Sequence, residues 1–233
     1  MKRRLPKVAL LLLAAFVVSC APGKRWYSAH PSYRESPKYK DPVILLGLHD
    51  AVVVTRDKWF AKHLEMPRDS VYLSIGSALE ENFKKELRNR YASLSIWPDS
   101  VYSSLPEETQ KLDERIYIKG RFPIQGKPLR DKEGKPAPYI ILIHEFTFGL
   151  DLSRDNFFDY ALINNESSEQ RTSKNLTVIL SYTLWDNLKQ RPLYSSVAEI
   201  QRPIPHDVQI SDIPEISKAA ADTLISEIDK GVR

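Results

Sequence analysis

The period of apolar and polar positions changes several times along the chain, and each change marks an element. Val43-Ile-Leu-Leu-Gly-Leu48 and Ala51-Val-Val-Val-Thr55 are β-branched apolar runs, which predicts one buried strand or two strands broken near His49-Asp50. Farther on, Leu79, Phe83, Leu87 and Tyr91 recur every fourth residue, with Glu80, Lys84, Lys85, Arg88 and Arg90 between them. That is an amphipathic helix laid on a sheet, and Ser77-Ala-Leu-Glu80 has the form of a capping box at its start. Ala92-Ser-Leu-Ser-Ile-Trp97 returns to alternation and completes a β–α–β unit.

After Leu105-Pro-Glu-Glu108, which reads as the opening of a short helix, Arg115 to Phe122 alternates again. Pro123 to Pro138 is rich in turn residues and predicts a mobile excursion. Tyr139-Ile-Ile-Leu-Ile-His-Glu-Phe-Thr-Phe148 is the strongest strand signal, followed by a polar and aromatic loop from Gly149 to Asn175. Leu176 to Trp185 and Pro192 to Gln201 flank the polar turn Asp186–Arg191 and predict a hairpin. Ile216, Ala220, Leu224, Ile225 and Ile228 predict a second amphipathic helix between Pro214 and Lys230. The order describes an α+β fold: a two-layer α/β sandwich with a mixed, mostly antiparallel sheet and two amphipathic helices on one face.

The amino terminus follows different rules. Residues 1–19 combine a basic start (Lys2, Arg3, Arg4, Lys7), an apolar run of 11 residues from Val8 to Val18, and the small residue Ser19. A membrane-spanning helix needs about 20 apolar residues, so the run is a signal-peptide core rather than a permanent span. Val17-Val18-Ser19-Cys20 resembles the bacterial lipobox, and Cys20 is the chain's only cysteine. The resemblance implies cleavage before Cys20, acylation of its sulfur and anchoring of the domain through acyl chains. A thiol consumed by lipid leaves no disulfide framework and no cysteine chemistry. Ala21, rather than Asp, follows the cysteine, which by analogy with lipoprotein sorting favours the outer membrane, with the domain facing the periplasm.

From Ala21 to Pro42 the sequence carries Pro22, Pro31, Pro37 and Pro42 without apolar periodicity. It reads as a flexible tether, reaching about 70 Å if fully extended. The domain plan is thus a signal peptide over 1–19, a lipidated cysteine and tether over 20–42, and one α/β domain over 43–233. Trp26, Tyr27, Tyr33 and Tyr39, interleaved with basic residues, read as lying along an anionic surface or as plain solvated linker.

Charge changes the picture once it is located. The whole chain has a formal net charge of +4, but with the four basic residues of the first seven positions removed, 30 basic and 30 acidic side chains remain. A neutral mature chain gives no footprint for nucleic acid. Only eight glycines occur, and neither a dinucleotide-binding nor a P-loop glycine pattern is among them.

The early β–α–β unit and the hairpin Tyr182-Thr-Leu-Trp-Asp186 to Pro192-Leu-Tyr194 resemble small periplasmic domains of envelope lipoproteins. These are the TolB amino-terminal domain, the curli-secretion lipoprotein and the auxiliary lipoproteins of lipid-exporting ABC systems. The resemblance implies a role in moving or assembling envelope components, and carries no catalytic residue across. Glycine is common in that hairpin turn, and Asp186 to Arg191 contains none.

Candidate chemistry is sparse. His144-Glu145 has the composition of a base with a carboxylate, yet neighbours on a strand point to opposite faces, so an ordinary polar pair is the expectation. His49-Asp50 reads as a turn before it reads as a ligand pair, and His206-Asp207 as a cap or exposed loop. Asp151, Asp155 and Asp159 share a face if helical. Ser173-Lys174 and Ser217-Lys218 are adjacent pairs, not a nucleophile and base one helical turn apart. Trp59-Phe60, Trp97 and Trp185 are either a sugar platform or core. The sequence therefore predicts no catalytic residue, metal site or cofactor, and one modified residue, Cys20.

The functional expectation is a non-enzymatic, membrane-anchored accessory or scaffold in envelope transport or assembly. It would bind envelope proteins through sheet edges and the 149–175 loop, with self-association also open. The alternative is a glycan- or peptidoglycan-binding module, and a hydrolase with an unrecognised site is the weakest reading.

Overall fold

A computed structural model describes residues 22–31, 40–112, 114, 116–130, 133–152, 175–204 and 208–230. Residues 1–19, read from the sequence as a signal peptide, Cys20, Tyr33, Tyr39, residues 153–174 with Asp155 and Asp159, and His206-Asp207 lie outside the described residues.

Among the described residues nine strands and five helices follow one another: β1 (Pro22–Ala29), β2 (Val43–Leu46), α1 (Leu48–Ala51), β3 (Val52–Val54), α2 (Asp57–His63), α3 (Arg68–Arg90), β4 (Leu94–Ile96), α4 (Asp99–Ser103), β5 (Glu107–Lys111), β6 (Tyr117–Arg121), β7 (Tyr139–Leu150), β8 (Asn175–Asp186), β9 (Arg191–Pro203) and α5 (Asp212–Lys230). The main sheet has the order β1-β9-β8-β7-β2-β4, and β3 pairs with β7 beyond the end of β2. β2, β3 and β4 run parallel to their neighbours, and β1, β7, β8 and β9 are antiparallel. This is the mixed, mostly antiparallel α+β sheet that the element order predicts.

The long helices α3 and α5 lie on one face. Val71, Ile75, Leu79, Phe83 and Leu87 of α3 and Ile216, Ala220, Leu224 and Ile228 of α5 are fully or almost fully buried against Leu45, Ile141, Phe146, Leu180 and Ala198 of the sheet. Each large apolar side chain so buried contributes about 1.5–3 kcal/mol relative to exposure. The opposite face carries a second, smaller layer. There α4 and the β5–β6 hairpin bring Tyr102, Leu105, Ile118 and Phe122 onto Ile44, Leu46, Ile140, Leu142 and Val197.

Three expectations are corrected. Helix α3 begins at Arg68, not at Ser77, and no side chain caps it. Its apolar stripe extends upstream through Ile75 and Val71, Pro67 sets the start, and Ser77 and Glu80 are interior. Leu105-Pro-Glu-Glu108 opens strand β5 rather than a helix, because Glu107 to Lys111 pairs along its whole length with Tyr117 to Arg121. The third concerns the tether over 20–42. Residues 22–29 of it are an edge strand, with Arg25 opposite Ala198 and Ala29 opposite Tyr194. Their side chains divide between the faces: Arg25 meets Glu227 of α5 at 3.3 Å and Tyr27 stacks on Tyr194 at 5.7 Å, whereas Trp26 packs into the second cluster. The main sheet therefore includes residues 22–29, which the sequence pattern assigns to the tether.

The glycine-free turn also has an explanation. Asp186 accepts hydrogen bonds from the backbone N–H groups of Leu188 (3.1 Å) and Lys189 (2.9 Å), and Gln190 takes the left-handed conformation at φ 55°.

Candidate functional site

A cleft of about 470 Å³ opens where the parallel strands β2 and β4 end. The carboxyl ends of parallel strands are where open α/β sheets commonly hold ligands. Its shape depends on Gly47, which leaves β2 at φ 84° with no room for a side chain: a Cβ there would lie 2.7 Å from the carbonyl oxygen of Ile143 and 2.8 Å from the Tyr102 ring. The single turn α1 then buries Leu48 and Ala51 and lifts His49 to the cleft wall. Trp97, Pro98 and Asp99 come from the end of β4, and Glu80 and Lys84 reach across from the middle of α3.

The polar wall is already paired. His49 Nδ1 lies 3.0 Å from Glu80 Oε2, and Lys84, one helical turn along, donates to the other oxygen of Glu80. Asp50 accepts from Ser103 Oγ at 3.2 Å. The hydrogen bond to Glu80, and then its charge, raise the His49 pKa above 6.5. For Glu80, burial opposes the charge, but the bonds from Lys84 and His49 outweigh it and hold its pKa below the ordinary value. Asp99 is pushed up, first by burial and then by the charge of Asp50. The cleft is thus a mixed-charge pocket with one indole at its rim.

This yields a titration test. Because the folded-state pKa of His49 is raised, its contribution to stability is complete below the unfolded value and is lost as the pH rises through the folded value. Proton NMR of the His49 ring is expected to show a midpoint above 6.5, returning toward 6.5 in Glu80→Gln. A midpoint unchanged by that substitution would break the assignment of the pair.

His144 is the second polar centre, and it reverses one premise of the sequence argument. Residue pairing between β7 and β8 slips between Ile143 and Glu145, so His144 is the extra residue of a β-bulge. Ile143 and Phe146 both face the long helices, which leaves His144 and Glu145 together on the opposite side. They still do not pair. His144 Nδ1 is 3.1 Å from Tyr102 Oη, and Nε2 is 3.1 Å from Thr183 Oγ1. Thr183 lies 3.0 Å from Ser195 Oγ, which donates to Gln110 at 3.3 Å. The N–H of Arg121 donates to Tyr102 Oη at 3.4 Å.

One direction satisfies the whole chain. Tyr102 donates to Nδ1, and a neutral imidazole donates from Nε2 to Thr183, which donates onward to Ser195. A protonated ring would confront the Tyr102 hydroxyl with a second N–H, and burial pushes the His144 pKa down to about 3. In the NMR titration above, this ring is expected to stay neutral through the range in which His49 titrates. His144 therefore stitches β7, β8, β9, α4 and the β5–β6 hairpin together, as an ordinary polar residue does.

Sequence reasoning missed a third buried centre. Glu227 of α5, 2% exposed, accepts from Tyr182 Oη at 2.8 Å and Tyr194 Oη at 3.1 Å, besides meeting Arg25. The signal was present in the helix pattern, since position 227 falls beside Leu224 and Ile228 on the buried stripe.

The remaining candidates scatter. Trp59 stacks on His63 at 3.7 Å, Phe60 is fully buried and Trp185 is 5% exposed, so only Trp97 reaches the cleft. Asp151 accepts from the backbone and side-chain nitrogens of Asn175 and closes the ends of β7 and β8. Ser217 Oγ donates to the Leu79 carbonyl at 2.6 Å inside the contact of α3 with α5, and Lys218 pairs with Asp222 at 2.8 Å. Among the described residues no group of three or more His, Cys, Asp or Glu is arranged to hold a metal, and no helix is long and apolar enough to cross a membrane.

No protein-family model and no curated protein matches the chain. Among solved structures, a PelC dodecamer from Paraburkholderia phytofirmans is similar over 88% of this chain and 96% of that one, at 9% identity and a TM-score of 0.39. A single-residue variant of the same dodecamer is similar over the same shares, at 10% identity and a TM-score of 0.38. Likeness at these scores does not assign this chain to a family.

Proposed function

We propose that this chain is a lipid-anchored accessory or scaffold of the cell envelope, facing the periplasm from the outer membrane and acting by binding rather than by catalysis. The observation that carries the reading is Val17-Val18-Ser19-Cys20 at the end of a signal-like run, with the chain's one cysteine in the acceptor position. Two structural features support it. The buried polar groups, His144 with Thr183 and Glu227 with its tyrosines, are spent on holding layers together. Strands β1 and β4 are the two ends of the main sheet order, and edge strands accept partner strands by addition. Trp97 at the cleft rim favours glycan recognition as the second reading, since an aromatic face beside paired polar groups suits a sugar ring.

The test is acyl labelling and in-cell crosslinking of the full chain beside Cys20→Ser. The wild-type chain is expected to carry label, to fractionate with membranes and to crosslink to envelope transport or assembly proteins. Cys20→Ser is expected to lose label and membrane retention together. Label retained in the mutant would overturn the anchor, and crosslinks confined to cell-wall material would put the glycan reading first.

A further inference from the structure

We infer that the cleft at the ends of β2 and β4 holds a neutral sugar residue, with the ring against Trp97 and neighbouring hydroxyls on Asp99 and His49. The inference rests on the glycan reading of the cleft, and it names the subsite and the kind of sugar. Its basis is what the polar wall has left over once its own bonds are made. Both oxygens of Glu80 are engaged, one by His49 Nδ1 at 3.0 Å and the other by Lys84. Asp50 is held by Ser103. Among the described residues, no donor is hydrogen-bonded to the carboxylate of Asp99, and no group is bonded to Nε2 of His49.

The spare capacity selects the ligand. An ionised carboxylate only accepts, so Asp99 asks for donors. With Nδ1 of His49 donating to Glu80, Nε2 accepts while the ring is neutral and donates once it is charged. A hydroxyl satisfies every one of these groups, since it donates to Asp99 and either donates to or accepts from His49. An ammonium group cannot accept from a charged His49 and would stand beside Lys84, whereas a carboxylate or phosphate would face Asp99 and Glu80. The lining charges, Glu80 and Asp99 against Lys84 and the titrating His49, nearly cancel, so a ligand of either sign gains little. A pyranose ring brings adjacent hydroxyls at its edge and C–H groups on its face, and the indole of Trp97 matches that face.

These groups stand on fixed backbone, so little order has to be created on binding. The N–H of Trp97 donates to the Leu45 carbonyl at 3.1 Å, and its indole packs against the second cluster while also lining the cleft. Pro98 follows at φ −61°, and the N–H of Val101 bonds its carbonyl at 3.0 Å, which holds Asp99 in the first turn of α4. His49 is placed by the tight exit at Gly47 and by its bond to Glu80. Leu45, Leu48 and Ile96 supply apolar lining. The volume of about 470 Å³ falls within the roughly 300–1,000 Å³ of small-ligand sites.

The experiment is isothermal titration of the full-length protein in detergent with cellotetraose and galactotetraose, both neutral with adjacent ring hydroxyls, and with the glucosamine and glucuronic acid tetramers as charged counterparts. A neutral tetramer is expected to bind about tenfold more tightly than either charged one. Trp97→Ala and Asp99→Ala are each expected to weaken it about tenfold, the scale of one lost contact. Tyr117→Ala, which removes an exposed aromatic ring on the β5–β6 hairpin, is expected to leave it unchanged. Circular dichroism checks that the variants are folded; should Trp97→Ala unfold, Asp99→Ala on the rim carries the test. Neutral sugar bound equally by the wild type and Asp99→Ala, or a charged tetramer bound more tightly than both neutral ones, overturns the subsite and leaves the glycan reading standing. No tetramer bound, with the protein still retained on purified sacculi, does the same. No tetramer bound and no retention on sacculi ends the glycan reading together with the inference.

Discussion

Glu227→Ala is expected to lower the free energy of unfolding by about 3 kcal/mol, the cost of leaving two buried hydroxyls without an acceptor and an arginine without its counter-charge. Tyr182 is fully buried and Tyr194 is 6% exposed, so water does not readily replace the lost carboxylate at either hydroxyl. Arg25 retains 29% of its side-chain exposure and can rehydrate, which keeps the loss below that of a fully buried ion pair. Glu227→Gln preserves an acceptor oxygen for the tyrosines and removes only the charge; its expected loss is about 1 kcal/mol. Urea unfolding of the three proteins side by side measures both differences. Equal losses in the two variants would show that charge, not hydrogen bonding, carries the contribution of Glu227.

A loss of about 2–4 kcal/mol is expected for Gly47→Ala, from two separable causes. A left-handed residue with a Cβ costs roughly 1 kcal/mol, and a methyl forced against packed atoms costs about 1–3 more. The atoms it would meet belong to the backbone of β7 and to Tyr102, which is engaged with His144 and cannot move without breaking that chain of hydrogen bonds. Gly134→Ala is the control. Gly134 has a similar φ of 79°, but a Cβ there would meet nothing within 4 Å, so its expected loss is the conformational part alone. If both substitutions unfold at the same urea concentration, close packing around Gly47 is not what fixes the cleft.

How legible this was in the sequence can be judged from single positions. The strands β7, β8 and β9 are readable because their side chains are buried along almost the whole length, so apolar and β-branched residues dominate them even with Thr177, Ser181, Thr183, Ser195 and Ser196 buried among them. The break at His49-Asp50 was readable too, since Gly47 and two polar residues interrupt such a run, and the break is where the cleft forms. Strand β1 was hidden for the opposite reason. It is an edge strand whose residues include Gly23, Lys24 and Arg25, and nothing local distinguishes PGKRWYSA from a linker until Glu227, some 200 residues later, supplies a counter-charge. The bulge at His144 was equally hidden, because alternation assumes an unbroken register and only the partner strand shows the slip. Two of the cleft's residues, His49 and Trp97, stand among the candidates the sequence offers, but not their company: Glu80 has the pattern of a cap in the sequence, and it is a cleft residue because α3 begins nine residues before Ser77.

The pairing of β1 with β9 also dictates the order of events at birth. β1 is the first of the described strands to be made, yet its partner residues lie about 170 positions downstream, so closing this ladder is a high-contact-order step and waits for nearly the whole chain. Until β9 and α5 arrive, Arg25 lacks Glu227 and Tyr27 lacks Tyr194. A chain built in this way stays open until its synthesis is nearly complete, and β1, the first of the described strands, is the last to be fastened.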